Sequence, residues 1–185
     1  MSQVMEFPAV NKPWNKVDMA LYHDICQFMY AEAQTLDDWE FRAWLDMLSE
    51  DILYTMKTVT NAQTRDRRRS IAPPSTWIFN DNKHVLERRV AKLETGMSWS
   101  EEPPSRTRHL INNIRVEPAE QPDEYWVYTN YLLYRSQKET DIHIYVGKRI
   151  DLVRKADHGY GWLIAKRDIT LDQATITSHN ITVFL

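Results

Sequence analysis

The side chains of this sequence that could do chemistry are six histidines and a single cysteine. The histidines are scattered, and none stands at helical spacing from a second metal ligand; a site assembled from His109, His143 and a distant carboxylate stays open. The one cysteine, Cys26, cannot form an internal disulfide, a cysteine-rich zinc site or an iron–sulfur cluster held by this chain alone. Its position in a helical segment indicates a small buried residue rather than a nucleophile.

The glycines exclude the common phosphate-binding motifs. Neither a dinucleotide-binding pattern nor a P-loop can be built from Gly96, Gly147, Gly159 and Gly161. A pocket that tunes a histidine, aspartate or tyrosine for proton transfer is a separate possibility for a curved-sheet domain. Residue alternation counts against it, because it places His109 and His143 off the aliphatic faces of their strands, although a bulge would reverse that assignment. A stand-alone dehydratase or isomerase therefore stays open as an alternative function.

Length and charge predict one ordinary globular domain. The chain has 185 residues and a net charge of −3, which does not favour a nucleic-acid partner. The basic run at residues 65–69 is predicted to be a solvated or subunit-contacting loop. No apolar run approaches the roughly 20 residues of a membrane span, and the N-terminus does not resemble an export signal, so we expect a cytoplasmic protein with no membrane partner. The 7 tryptophans and 9 tyrosines favour protein interfaces.

The N-terminal half reads as helices with one strand. Residues 1–16 are predicted to form an extended arm, and residues 17–185 a single domain. Apolar spacing predicts a first helix over residues 17–35 and a second that is capped around residues 37–40 and ends near Ser49. A strand is expected at 52–59, and then a long connector at 60–76. A third helix is predicted to be capped by Asn80, Asp81 or Asn82 and to end at Gly96.

The C-terminal half reads as long antiparallel strands over residues 106–117, 124–136, 140–154 and 161–170. Their length predicts a strongly curved sheet with bulges, so the expected fold class is α+β: a cone-like domain in which the sheet wraps the N-terminal helices. Alternation in the third of these strands assigns its aliphatic positions to the core: Ile142, Ile144, Val146, Ile150 and Leu152. The second strand is apolar on both faces, which predicts a subunit interface. The apolar residues 180–185 are expected to pack against the domain or a partner.

Several stretches resemble the small (beta) subunit of bacterial aromatic-ring-hydroxylating dioxygenases. The most specific is residues 93–110, Leu-Glu-Thr-Gly-Met-Ser-Trp-Ser-Glu-Glu-Pro-Pro-Ser-Arg-Thr-Arg-His-Leu. The likeness runs from about residue 20 to the end of the sequence and includes residues 32–38, 43–45, 86–90, 141–149, 169–175 and 180–185. It is closest to the biphenyl, toluene and cumene branch of the family.

The resemblance implies a fold similar to nuclear transport factor 2 (NTF2) and scytalone dehydratase. It also implies a non-catalytic subunit without a cofactor, in an α3β3 hexamer with a beta trimer. The alpha subunit is then expected to carry a Rieske [2Fe–2S] cluster and a mononuclear Fe(II), and to receive electrons from NADH through a reductase and usually a ferredoxin. Such complexes add both atoms of O2 to an aromatic ring and yield cis-dihydrodiols. The quaternary geometry would hold each Rieske cluster beside the iron of a neighbouring alpha subunit.

The candidate site residues are therefore subunit contacts rather than catalytic groups. We predict Arg106, Arg108 and His109 as contacts, because arginine is enriched at interfaces and pairs bidentately with carboxylates. Trp99 and Tyr131 are further interface candidates, and either could equally belong to the core. Solvated strand residues remain the alternative for Arg106 and Arg108.

Overall fold

The computed structural model describes residues 15–57, 77–96, 99–173, 176, 178 and 181–185. The predicted N-terminal arm and the basic connector lie almost entirely outside these residues, so both stay predictions. The helices and strands, in chain order, are α1 (Met19–Asp37), α2 (Phe41–Asp46), β1 (Leu48–Lys57), β2 (Trp77–Asp81), α3 (Lys83–Glu94), a short 3-10 helix (Trp99–Glu101), β3 (Arg106–Pro118), β4 (Glu124–Gln137), β5 (Asp141–Lys155) and β6 (Trp162–Leu171).

One curved sheet holds all six described strands, in the order β2-β1-β6-β5-β4-β3. Four of the five neighbouring pairs are antiparallel, and β1 with β6 is parallel. The ladder shifts register between Asn112 and Arg115 in β3 and between Leu152 and Val153 in β5. Such shifts bend long strands and increase their twist. The predicted α+β class and curved sheet are confirmed, and the bounds of β3 to β6 agree with the prediction within one residue at each end.

Side-chain hydrogen bonds cap the N-terminal ends of α1 and α3. The side chain of Asp18 caps α1 by accepting from the backbone N–H of Leu21. Asn82 caps α3 in the same way, and Gly96, with a φ of 64°, follows its end as predicted. The predicted cap of α2 is wrong: Asp37 is the last residue of α1, and Glu40 precedes α2 without a side-chain cap bond.

Helix α2 is shorter than the sequence indicated, and β2 was not predicted. The amide of Ile164 in β6 donates to the carbonyl of Met47 at 2.9 Å, so the chain enters the sheet directly after α2 instead of continuing the helix to Ser49. Strand β2 pairs with β1 from Trp77 to Asp81, just before the Asn82 cap. Only five residues long and partly exposed, β2 lacks a clear alternating pattern, so the sequence did not distinguish it from the connector.

The core lies between the helices and the face of the sheet that we call the inner face. Its largest fully buried side chains include Trp44 of α2, Met29 of α1 and Tyr54 of β1. The end of the sequence packs here as expected: Val183, Phe184 and Leu185 are buried. The Phe184 ring lies 4.3 Å from that of Trp44, between centroids.

The faces of β5 are opposite to the prediction. Ile142 and Ile144 are 53% and 51% exposed, whereas Tyr145, Arg149 and Asp151 are buried. The alternation itself was correct, but charged residues occupy the inner face because partners from α1 and β6 neutralise them there. The aliphatic side chains consequently lie on the opposite, outer face. Ile142 and Ile144 are exposed there, whereas Leu152 is buried in a second apolar cluster with Trp126 and Tyr128.

Candidate functional site

The outer face of β3, β4 and β5 carries a continuous exposed surface, which we call the outer sheet face. Its positions come from four neighbouring rows of the ladder. These rows are Arg106–Ser136–Ile142, Arg108–Tyr134–Ile144, Leu110–Leu132–Val146 and Asn112–Asn130–Lys148. The six large apolar side chains among them are all more than a third exposed. Exposed apolar groups gathered in this way mark an interaction surface rather than ordinary solvent contact.

All charged side chains of the outer sheet face are positive. Its twelve positions include Arg106, Arg108 and Lys148 but no carboxylate. Two copies of this face placed against each other would bring cations together, which is unfavourable. A complementary surface would offer apolar side chains bordered by aspartate or glutamate.

His109 lies on the inner side of β3 and connects α1 to the C-terminal residues 181–185. Its Nδ1 is 2.6 Å from Oδ1 of Asp37, its Nε2 is 3.1 Å from the carbonyl oxygen of Phe184, and its backbone N–H also donates to Asp37. Burial raises the pKa of Asp37, but hydrogen bonds and charge from His109 outweigh this effect and bring the pKa below its usual value. Since both ring nitrogens face acceptors, neither presents a free lone pair to a bound molecule.

A half-open apolar cavity of about 360 Å³ lies beside His109. Trp39, Phe41, Leu93 and Phe184 are among its lining residues. Trp39 has a φ of 60°, a conformation that bulky residues rarely adopt, and its indole N–H donates to the carbonyl of Ser105 at 3.0 Å. The cavity is large enough to receive an apolar side chain or a small ligand, but its histidine is already engaged by Asp37 and Phe184.

Four charged side chains form a fully buried cluster at the centre of the domain. Arg167 donates to both oxygens of Asp151, at 2.8 and 3.2 Å, and to Glu32 at 2.6 Å. Arg149 makes a longer contact, 3.5 Å, with the other oxygen of Glu32. The indole N–H of Trp44 donates to the same Glu32 oxygen as Arg167. Burial raises the pKa of Glu32, but the charges of Arg167 and Arg149 and these hydrogen bonds bring it down to about 2. The cluster connects α1 to β5 and β6.

The depressed pKa of Glu32 predicts a loss of stability in acid. Its pKa falls from an ordinary 4.5 to about 2 on folding, so its contribution is complete above pH 4.5 and disappears as the pH falls towards 2. The difference corresponds to about 3 kcal/mol of the free energy of unfolding. Urea denaturation of the wild type and of Glu32→Gln at several pH values measures this effect. Glu32→Gln should show a shallower pH dependence than the wild type, whereas the control Glu94→Gln, at an exposed ion pair, should follow the wild type. Equal slopes for wild type and Glu32→Gln would contradict the assignment.

The predicted interface residues occupy different environments. Arg106 and Arg108 lie on the outer sheet face, and Arg108 also reaches to 3.6 Å from Asp37. His109 and Tyr131 point into the domain and are buried there; burial also raises the pKa of Tyr131. Trp99 belongs to the short 3-10 helix, and its side chain is outside the described part of the structure. The single protomer does not test these assignments, so the interface role of all five residues stays a prediction.

The positions of His109 and His143 differ from those that residue alternation predicted. His109 and His143 lie on the inner sides of their strands, opposite the exposed Leu110, Ile142 and Ile144. In β3 the bulge between Asn112 and Arg115 shifts the alternation, so Ile114 and Val116 are buried in the core as well. The two histidines have different partners: His109 contacts Asp37, and Nε2 of His143 lies 2.6 Å from Asp141. Within residues 15–57, 77–96, 99–173 and the few described beyond them, no group of three or more histidine, cysteine, aspartate or glutamate side chains could hold a metal ion.

Sequence reasoning missed the buried charge cluster. Glu32 lies within the apolar stripe of α1, and Arg149 and Asp151 alternate with the aliphatic residues of β5. A charged residue inside a helical apolar stripe was the available signal, since a buried glutamate requires a cationic partner.

Among the described helices, none has the length and apolar character needed to cross a membrane.

Comparison with known proteins places this architecture in a family. The family model described as "Ring hydroxylating beta subunit" matches residues 31–178. A curated relative, the 3-phenylpropionate/cinnamic acid dioxygenase subunit beta of Photorhabdus laumondii, is 60% identical over 168 residues, which cover 91% of this chain and 93% of the relative.

Solved structures show the same fold. A chain of naphthalene 1,2-dioxygenase with indole bound in the active site superposes with a TM-score of 0.83 at 21% identity, covering 92% of this chain and 89% of that one. The beta subunit of benzoate 1,2-dioxygenase from Burkholderia mallei gives 0.62 at 25% identity, covering 85% and 93%. ActVI-ORFA from Streptomyces coelicolor gives 0.59 at 12% identity, covering 86% and 100%, and so shares the NTF2-like fold alone. The resemblance seen in the sequence is confirmed: the chain belongs to the family of beta subunits of aromatic-ring-hydroxylating dioxygenases.

Proposed function

We propose that this beta subunit builds an α3β3 terminal oxygenase by docking an alpha subunit on the outer sheet face. The single observation that carries the proposal is the gathering of exposed apolar and cationic side chains on one side of β3, β4 and β5. The one-sign charge favours a different chain over a second copy of the same face. Arg106 and Arg108 would then pair with carboxylates of the alpha subunit, while Leu132 and Ile144 form the apolar centre of the contact.

Catalysis would reside in the alpha subunit. One cysteine cannot provide the two cysteine and two histidine ligands of a Rieske centre, so the [2Fe–2S] cluster and the mononuclear Fe(II) are assigned to the alpha subunit. The central charge cluster occupies the interior of this chain, and His109 has both nitrogens engaged, which favours a structural role over an acid–base enzyme. We further propose that NADH is the ultimate electron donor, that a reductase and a ferredoxin act through the alpha subunit, and that the complex is cytoplasmic.

The substrate proposal follows the 60% identical relative, whose name specifies 3-phenylpropionate and cinnamic acid. We assign to the assembled complex an aromatic ring that bears a short carboxylic acid chain and is converted to a cis-dihydrodiol. Hydrocarbons of the biphenyl, toluene and cumene branch are the alternative that the sequence resemblance favoured. Because the substrate pocket of the family belongs to the alpha subunit, residues of this chain do not decide between them.

Co-expression with the candidate alpha subunit tests the proposal. Native mass spectrometry should show a complex with equal numbers of the two chains, three of each, and about three iron atoms per alpha subunit. Oxygen uptake with 3-phenylpropionate and with biphenyl then compares the two substrate classes. A chain that stays separate from the alpha subunit would overturn the proposal.

Replacing both Arg106 and Arg108 by alanine should weaken assembly in the same native mass spectrometry assay. Arg88→Ala, at an exposed position of α3, is the control and should assemble like the wild type. Unchanged assembly of the double variant would remove these two contacts from the interface.

A further inference from the structure

Five polar atoms on the inner face of β4 and β5 are buried without a hydrogen-bond partner among the described residues. They are Oγ1 of Thr129, the hydroxyl oxygens of Tyr131 and Tyr145, and Nε and Nη2 of Arg149. All four residues are at most 3% exposed. Leaving buried polar groups unpaired costs about 1–3 kcal/mol each, and more for a charged group, so native structures rarely contain such a concentration.

The ladder register brings these atoms into one region. Thr129 lies directly opposite Arg149, Tyr131 opposite Gly147, and Tyr145 two residues before Gly147 on the same face of β5. The Tyr131 hydroxyl is 3.0 Å from the point that a Cβ of residue 147 would occupy, so this ring reaches across β5 between Tyr145 and Arg149. The Arg149 guanidinium carbon lies 5.9 Å from the centroid of the Tyr131 ring.

The ion pairs around Arg149 explain why it needs additional acceptors. Arg167 donates to Asp151 and Glu32 at 2.6–3.2 Å. Among the described residues, Arg149 makes one hydrogen bond, its 3.5 Å contact with Glu32. Nε of Arg149 is 4.0 Å from Asp151, too far for a hydrogen bond. The guanidinium is thus buried with most of its N–H groups unpaired, although the four charged side chains sum to zero.

The net charge of the cluster and the kinds of unpaired hydrogen-bonding groups together indicate what kind of ligand the site would take. An added anion would leave an uncompensated negative charge in a buried region whose two arginines are already balanced by two carboxylates. The three hydroxyl groups both donate and accept, and the arginine only donates. A neutral molecule that both donates and accepts satisfies this set, and water is the smallest one.

We infer that β4 and β5 enclose a built-in hydration site, in which ordered water molecules bridge Arg149 to the hydroxyl groups of Thr129, Tyr131 and Tyr145. At about three hydrogen bonds for each buried water, five unpaired atoms require about two molecules. These waters solvate the Arg149 cation and complete the charge cluster that connects α1 to the sheet. The site belongs to the interior of this chain and does not depend on the proposed docking of the alpha subunit.

A high-resolution crystal structure of the full-length chain, grown in the presence of bromide, tests this inference. The expected result is density for water within about 2.7–3.2 Å of the Arg149 nitrogens and of at least one tyrosine hydroxyl, with no anomalous bromide signal there. A bromide peak at Arg149 would show that the site binds an anion instead of water and would overturn the inference. Direct hydrogen bonds between Arg149 and the tyrosines, with no water between them, would also overturn the inference.

Tyr131→Phe provides the second measurement. It removes one water partner with almost no change in volume, so the water bound to the hydroxyl should be lost from the crystal structure. Tyr134→Phe is the matched control, because Tyr134 lies on the same strand but on the outer sheet face; it should leave the internal waters unchanged. Waters that persist in the same positions in Tyr131→Phe would contradict the assigned bridge. If Tyr131→Phe does not fold, the wild-type structure alone decides.

Discussion

Replacing Arg167 by methionine should lower the free energy of unfolding by about 3–5 kcal/mol. The side chain is completely buried and pairs with Asp151 at 2.8 Å and Glu32 at 2.6 Å. Its removal leaves two carboxylates in the interior with only Arg149 to neutralise them. Urea denaturation followed by tryptophan fluorescence, at one fixed protein concentration, measures the change.

Arg154→Met is the matched control for this substitution. Arg154 is also on the sheet and pairs with Asp51 and Glu124, but its side chain is 37% exposed. Because solvent screens such pairs, the control should lose no more than about 1 kcal/mol. If Arg167→Met and Arg154→Met were equally mild, the central cluster would not be the element that holds α1 against β5 and β6.

Replacing Ile144 by aspartate should abolish co-purification with the alpha subunit. Ile144 lies on β5 directly beside Tyr134 of β4, in the second of the four rows of the outer sheet face, and is half exposed in the single chain. Solvent can hydrate the new carboxylate in the free chain, so folding should be preserved. In the complex, the carboxylate would be buried among apolar side chains, which costs far more. Native mass spectrometry of co-expressed chains measures the loss of assembly, and circular dichroism confirms the fold.

Tyr160→Asp is the control, since Tyr160 is equally exposed but lies in the turn before β6, outside the outer sheet face. It should assemble like the wild type. Normal assembly of Ile144→Asp would show that the alpha subunit binds elsewhere. A loss confined to association between beta chains would assign the face to the beta trimer instead.

Local sequence patterns predicted the long strands well. Strands β3 to β6 are long runs of β-forming residues separated by short turns. The turns at residues 119–123 and 156–161 contain proline, glycine or aspartate, and the turn at residues 138–140 is polar. The caps of α3 were predictable for the same reason, because Asn82 and Gly96 act within a few residues of where they stand. Short elements without a local signal were not predictable: β2 exists through its pairing with β1, and α2 ends where Met47 meets β6.

Alternation distinguished the two faces of β5 but did not indicate which face is inside. The aliphatic face was assigned to the core on hydrophobicity, yet Ile142, Ile144 and Val146 are exposed. The inner face instead carries Arg149 and Asp151, whose burial is possible only because Glu32 and Arg167 neutralise them. Partners of that kind are distant in sequence, and no pattern within one strand reveals them.

The amino-acid sequence by itself determined the family, the α+β class, the register of hydrophobic alternation and the bounds of the four long strands, because each depends on neighbouring residues or on motifs read directly. Only the tertiary structure decided that Glu32 meets Arg167 across 135 residues, that His109 connects Asp37 to Phe184, and that the apolar side chains of the outer sheet face are exposed in the single chain. The physical reason is that burial of charge and exposure of apolar surface depend on which distant elements pack together. That packing results from the balance of the whole fold rather than from any one segment.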